Sequence, residues 1–227
     1  MSSTSNEKAP TRFQDFRSLR NHWSRPIGPR AYYWYLTFEN APELRARARE
    51  YQQAITYPYY DKTPLCYLHL TLDRIAFANE VSWHQISAIE SAALSACRKI
   101  RHFDITVGNL GGTRGAIGFG VYPDQPIRDL RDRLRAATVS AYPDAPVDKG
   151  DFRPHITIAY ANTDGVPADE MITRAEQLDA TTRQADVTVR EGSLVLLERS
   201  QRSYSWHAIS RVPLAGSAGM PAPLGHA

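Results

Sequence analysis

The chain has 227 residues, 42% of them hydrophobic, enough to bury one sizeable core or two small lobes. No apolar run approaches the roughly 20 residues that span a bilayer, and the start MSSTSNEKAPTRFQDF lacks the apolar stretch of a signal peptide, so no membrane is expected and a cytoplasmic protein is the simplest reading. The formal net charge of +3 is uneven: residues 1–30 hold Lys8, Arg12, Arg17, Arg20, Arg25 and Arg30 against Glu7 and Asp15, which suits either a solvated leader or an arm that touches nucleic-acid phosphates. Those 30 residues show no period and read as an irregular basic leader. The first strand is expected over Tyr32–Phe38, with Trp34, Leu36 and Phe38 on one face and Tyr33, Tyr35 and Thr37 on the other. A helix follows from Ala41-Pro42 to about Ala54, since proline is tolerated in a first turn where its missing N–H costs little. Cys66–Leu72 reads as a strand and Trp83–Ile100 as a helix capped by Ser82. The two cysteines, Cys66 and Cys97, fall inside these segments and imply no disulfide framework. Phe103–Leu110 and Ala116–Tyr122 read as strands joined through Gly111-Gly112-Thr113-Arg114-Gly115.

The pattern then restarts. Pro126–Ala141 reads as a helix, Arg153–Tyr160 as a strand and Pro167–Leu178 as a helix, followed by strands at Val187–Arg190, Ser193–Glu198 and Tyr204–Val212. The Gly/Pro/Ala-rich residues 215–227 are expected to be disordered. Each half thus holds a helix, a strand, a second helix and further strands, a repeat of supersecondary order. Neither half covers its own sheet easily. The expected fold is α+β, duplicated and bilobal, with two antiparallel-rich sheets facing across a central cleft and helices on the outer faces, all within residues 31–214.

Both repeats carry the same triplet on their strand: His69-Leu70-Thr71 and His155-Ile156-Thr157. Chance alone supplies about 0.5 such triplets in a chain of this composition, so context must carry the signal. In both copies His and Thr share one strand face, while Leu68, Leu70 and Leu72 or Ile156 and Ile158 take the other. The apolar face is explained by burial; the polar face requires another reason. Two imidazoles and two hydroxyls, presented alike from two lobes, suit metal-free acid–base chemistry on a phosphodiester. Tyr67 and Arg153 each precede a histidine by two and are expected on its face, the guanidinium as a phosphate contact or as half of an ion pair with Asp148 or Asp151. Tyr33 and Tyr35 are candidates to stack a base or to pack the sheet. Tyr160 follows Thr157 by three and is expected on the opposite face unless the strand ends or bulges.

These residues resemble the two-histidine (2H) phosphoesterase superfamily, and more narrowly its bacterial 2′-5′ RNA ligase-like, RNA 2′,3′-cyclic phosphodiesterase branch. The likeness runs from about Tyr32 to Leu214 and is densest at Phe152-Arg153-Pro154-His155-Ile156-Thr157-Ile158-Ala159 and in the closing hairpin Leu194–Leu214. The leader exceeds that family's usual start, and the Tyr57-Pro58-Tyr59-Tyr60 neighbourhood of the first motif is less typical. The resemblance implies a bilobal duplicated fold with one motif per lobe, and a phosphoric diester hydrolase that needs no metal or other cofactor. It makes His69 and His155 the acid and base, in an order the sequence leaves open, with Thr71 and Thr157 hydrogen-bonded to the phosphate oxygens. The sequence has no His-x-His and no Cys/His cluster with ligand spacing. The expected partner is the substrate itself, an RNA end, a 2′-5′ oligonucleotide or a cyclic nucleotide, with the chain a monomer. The rival readings are a hydrolase of cyclic nucleotide messengers, a non-catalytic RNA or nucleotide binder, and, disfavoured by the missing ligands, a metal-dependent hydrolase.

Overall fold

Strand β1 (Ala31–Thr37) shows how the chain divides its faces: Trp34 and Leu36 are buried in the main core, while Tyr33 and Tyr35 belong to a small second cluster with Val195 and Trp206 on the other side. The protein is described by a computed structural model that covers residues 17–146, 152–181 and 184–216. Helix α1 (Pro42–Ala54) opens on its proline and buries Leu44, Ala48 and Tyr51 along one stripe. Strand β2 (Tyr60–Lys62), which the sequence did not suggest, precedes β3 (His69–Phe77). Helix α2 (Trp83–Cys97) is held at its start by a full capping box, Ser82 with Gln85. Then come β4 (Phe103–Thr113), β5 (Ala116–Tyr122), α3 (Gln125–Ala141), β6 (His155–Ala161), α4 (Asp169–Thr181), β7 (Ala185–Val189), β8 (Glu191–Arg199) and β9 (Tyr204–Pro213).

The strands form two sheets, ordered β3-β1-β8-β9 and β2-β6-β5-β4-β7, with every pairing antiparallel. This is the expected α+β, two-sheet architecture, but the lobes are not successive halves of the chain. The repeats are β1-α1-β3-α2 and β5-α3-β6-α4, and each sends its first helix to the other's sheet. Helix α3 packs with α2 over β3, where Thr138 accepts a hydrogen bond from the Trp34 indole at 2.9 Å. Helix α1 lies against β6 and β7, where Tyr51 meets Phe119 edge-on at 5.0 Å. Exchanging a helix is how two halves that cannot cover their own sheets cover each other's.

Both motif strands start later than the alternation suggested. Leu65–Tyr67 is a one-turn 3-10 helix closed by Tyr67 N–H donating to Pro64 O (2.8 Å), so the first strand begins at His69 and runs on to Phe77 rather than covering Cys66–Leu72. The second begins at His155 because Pro154, with no N–H, cannot join a ladder. Helix α4 starts at Asp169, not Pro167, because Pro167 bridges to Ser18. The end of the leader is packed: Leu19 is 1% exposed and sits in the main core, and His22–Ser24 forms a one-turn 3-10 helix. Ala215 N–H donates to Ile100 O (2.6 Å) and Gly216 follows in a turn; the remainder of the segment expected to be disordered, 217–227, lies outside the described residues, as do residues 1–16. No helix among the described residues is long and apolar enough to cross a membrane.

Candidate active site

The two His-x-Thr strands meet across the cleft between the sheets, and His69, Thr71, His155 and Thr157 line one cavity of about 340 Å³. The local geometry of the two motifs matches. His69 Nδ1 lies 2.7 Å from Tyr67 O and His155 Nδ1 lies 2.8 Å from Arg153 O. A carbonyl only accepts, so Nδ1 of each ring carries the proton and Nε2 offers a lone pair when the ring is neutral. Tyr67 and Arg153 therefore serve the site through their backbone, from segments that precede the strands. Their side chains are not among those lining the cavity. Tyr67 packs into the small cluster with Tyr35 and Trp206 and borders an adjoining crevice with His69, Tyr160 and Tyr204; the Arg153 side chain is exposed. The Asp148 and Asp151 partners considered for Arg153 lie outside the described residues.

A second likeness lies one layer back. The Thr71 side chain lies beside the Tyr35 phenol, and that of Thr157 beside the Tyr160 phenol. Burial pushes both phenols further above their ordinary range, and the threonine contacts only partly offset it, so both tyrosines stay protonated. Tyr160 reaches the cavity because β6 bulges. The register with β5 slips between Gly118↔Thr157 and Ile117↔Ala159, leaving Ile158 as the extra residue, and Tyr160 returns to the face of His155 and Thr157. The same slip occurs at Leu72 in β3, between Tyr35↔Thr71 and Trp34↔Asp73. It turns Arg74 to the face of His69, where its charge lies near the phenol of Tyr33, another cavity residue.

The two imidazoles sit in unlike surroundings. His69 stacks flat on Tyr35, with ring centres 4.1 Å apart and planes 6° apart, and is partly covered; His155 is exposed. Burial pushes the His69 pKa down to about 4, His155 adding to the effect and the Tyr67 carbonyl opposing it. Tyr35 is only 1% exposed, so its ring backs the imidazole and has no face free for a base. A third histidine, His22, comes from the leader and also lines the cavity, with Nε2 2.9 Å from the Tyr204 hydroxyl. Nothing in the periodicity of the leader marks it. Tyr160, by contrast, had a sequence signal: the adjacent apolar pair Ile158-Ala159 breaks the alternation of β6. Among the described residues, no group of three or more His, Cys, Asp or Glu side chains comes together as a metal site would require.

Fold and site define a two-lobed α+β protein with one His-x-Thr strand per lobe. Residues 40–202, which hold both motifs, match the 2'-5' RNA ligase superfamily, and the chain belongs to that family. Solved structures share the fold at low identity. TT0787 of Thermus thermophilus is 18% identical with a TM-score of 0.64, covering 82% of this chain and 99% of its own. E. coli LigT complexed with 3'-AMP is 17% identical with a TM-score of 0.62, covering 82% and 99%. A structure described as a phosphoesterase is 17% identical with a TM-score of 0.60, covering 83% and 99%. No curated protein matches the chain by sequence.

Proposed function

We propose that the protein is a metal-independent phosphodiesterase that opens a 2′,3′-cyclic phosphate, or cleaves a 2′-5′ phosphodiester, of RNA or oligonucleotides. The observation that carries this reading is the pair of imidazoles in one cavity, each with Nδ1 tied to a carbonyl and a threonine two residues along the same strand. In-line hydrolysis needs a base on the attacking water and an acid on the departing ribose oxygen. The surroundings favour one assignment of these roles. His69, held neutral, takes the water proton through Nε2 as the oxygen–phosphorus bond forms. His155, open to solvent, donates a proton to the ribose oxygen as its bond to phosphorus breaks. The product is a nucleoside monophosphate, and the next turnover requires the two protons to be exchanged with solvent. Thr71 and Thr157 donate to the non-bridging oxygens as negative charge gathers there. Tyr35 and Tyr160 pack beside those hydroxyls. The similarly folded LigT was solved with 3'-AMP, a nucleoside 3′-monophosphate, the kind of product such an opening releases.

The test is a panel of 2′,3′-cyclic, 3′,5′-cyclic and 2′-5′-linked compounds, assayed with EDTA and read by phosphorus NMR for the position of the product phosphate. The first or third class should turn over. His69→Ala and His155→Ala should each lower turnover at least ~10²-fold. Activity that disappears with EDTA and returns with zinc or manganese would overturn the metal-free chemistry. Turnover of 3′,5′-cyclic compounds alone would move the protein to the signalling-nucleotide class. Tight nucleotide binding without turnover of any compound would make it a binder.

A further inference from the structure

One wall of the cavity comes from neither repeat. Residues 18–24 lie outside the region matched to the family, yet they are fastened to the second sheet and its loops. Leu19 N–H donates to Val166 O (2.8 Å), Gly165 N–H to Leu19 O (3.0 Å) and Arg20 N–H to Arg114 O (2.7 Å). The buried Leu19 side chain anchors the stretch in the core. Beyond it the indole of Trp23 donates to Asp61 (2.9 Å), and Arg199 donates to Trp23 O (2.9 Å). A solvated leader would make none of these bonds. Their effect is to hold His22 in the cavity that contains both catalytic candidates.

His22 completes an aromatic surface there. Its ring lies 4.3 Å from Tyr160 and 4.7 Å from Trp23, and its Nε2 meets the Tyr204 hydroxyl. Tyr160 in turn lines the cavity beside Thr157, so this surface begins one side chain away from the place where the phosphate would sit. Burial, with Arg199 and Arg25 nearby, pushes the His22 pKa down to about 4. Near neutral pH it is therefore an uncharged, flat ring with polar edges, unsuited to serve as a third acid. Such a ring suits contact with a nucleoside. A cavity of about 340 Å³ is at the small end for ligand sites, which generally run from about 300 to 1,000 Å³, and fits a compact ligand.

We infer that residues 18–24 form a substrate-binding wall, in which His22, set on the Tyr160–Tyr204 surface, contacts the nucleoside next to the scissile phosphate and selects nucleotides over phosphodiesters that carry no base. The inference takes its substrate from the phosphodiesterase reading above. Its test compares kcat/KM for adenosine 2′,3′-cyclic phosphate and for base-free glycerol 1,2-cyclic phosphate in the wild type, His22→Ala and His22→Asn. The asparagine keeps a polar group toward Tyr204 and removes the ring, in case the alanine variant does not fold. The nucleoside substrate should lose at least about fivefold, the low end of a base-stacking contact, and the base-free substrate less than about twofold. Equal loss on both, which a merely structural role would give, or no loss on either, overturns the inference. Calorimetric binding of adenosine 2′-monophosphate against inorganic phosphate reads the same selectivity without turnover. A wild type that hydrolyses neither cyclic compound therefore strikes the phosphodiesterase reading alone. Loss of the nucleotide's affinity but not the phosphate's still supports the wall, and equal effects on both overturn it.

Discussion

The bulge in β6 depends on a glycine across the ladder, which makes Gly118→Ala an informative perturbation. Gly118 pairs with Thr157 at the point where the register slips. A Cβ there would lie 2.9 Å from both the carbonyl carbon of Ile156 and the Cα of Thr157, and closer still to the Ile156 oxygen. All three are backbone atoms, so no side-chain rotation relieves the clash, and β6 must move away from β5. Overpacking of this kind costs about 1–3 kcal/mol, and the rigidity of two strands in mid-sheet argues for the upper half of that range. The displaced segment carries His155 and Thr157, so turnover should fall together with stability. Urea denaturation should give a lower midpoint at unchanged slope, which is the signature of lost stability without a change in the surface exposed. A Gly118→Ala protein with the wild-type midpoint and full turnover would refute both the register and the assignment of Ile158 as the bulged residue.

Acid should weaken the fold through its histidines: with folded pKa values near 4 for His22 and His69 against about 6.5 unfolded, stability is complete above pH 6.5 and falls as pH drops toward 4, by up to about 1.4 kcal/mol per pH unit for each ring. Replacing both with Asn should flatten that slope in denaturation measured from pH 7 to 4.5. If His69 is the base, the acid limb of kcat/KM should lie near pH 4, and a limb near 6.5 would sink that role. Asp73 is buried, with Arg135 donating to it at 2.6 and 3.0 Å, so Asp73→Asn should cost about 3 kcal/mol by urea denaturation, for want of a countercharge between α3 and β3. Tyr35→Phe and Tyr160→Phe each remove a hydroxyl that lies beside a threonine, a polar contact worth about 1 kcal/mol, and should lower kcat about fivefold with little change in KM.

Much of the fold was readable because alternation and helical spacing follow directly from which face is buried. Trp34 and Leu36 mark the underside of β1, and Ser82 marks the start of α2 within a residue. The two motifs were legible as a pair for the same reason, since an apolar face on each strand left His and Thr on the other. What escaped was set by long-range packing. No local pattern states that α1 belongs over the second sheet, because an amphipathic helix records that it is covered and not by what. Residues 18–24 have no period, since they are held by backbone bonds to Val166 and Arg114 and by the single apolar anchor Leu19. The faces assigned to Tyr67 and Arg153 assumed strands that extend back past the histidines. Pro64 and Pro154 end that regularity, and the two residues instead provide the carbonyls that orient the rings.

The repeated backbone and the unlike surroundings have separate consequences for the chemistry. Matching Nδ1–carbonyl bonds, matching threonines and matching bulges would place equivalent atoms on the two sides of a bound phosphate, the arrangement that the proposed in-line attack and departure require. Geometry of that kind is symmetric and favours neither direction of proton flow. In the proposed reaction a direction would come from what covers each ring: Tyr35 lies flat beneath His69, with Tyr67 and Trp206 behind it, whereas His155 opens to solvent. Desolvation penalises only the charged form, so the covered ring rests neutral with its Nε2 lone pair free, the state from which the proposed base would start. The exchanged helices tie these two features together. Helix α3, which arrives from the second repeat, clamps β3 through Asp73 just beyond Thr71, and α1, from the first repeat, backs the sheet that bears His155. Neither half of the chain could assemble its own side of the site alone, and the spacing between the two imidazoles is fixed by the same packing that holds the lobes together.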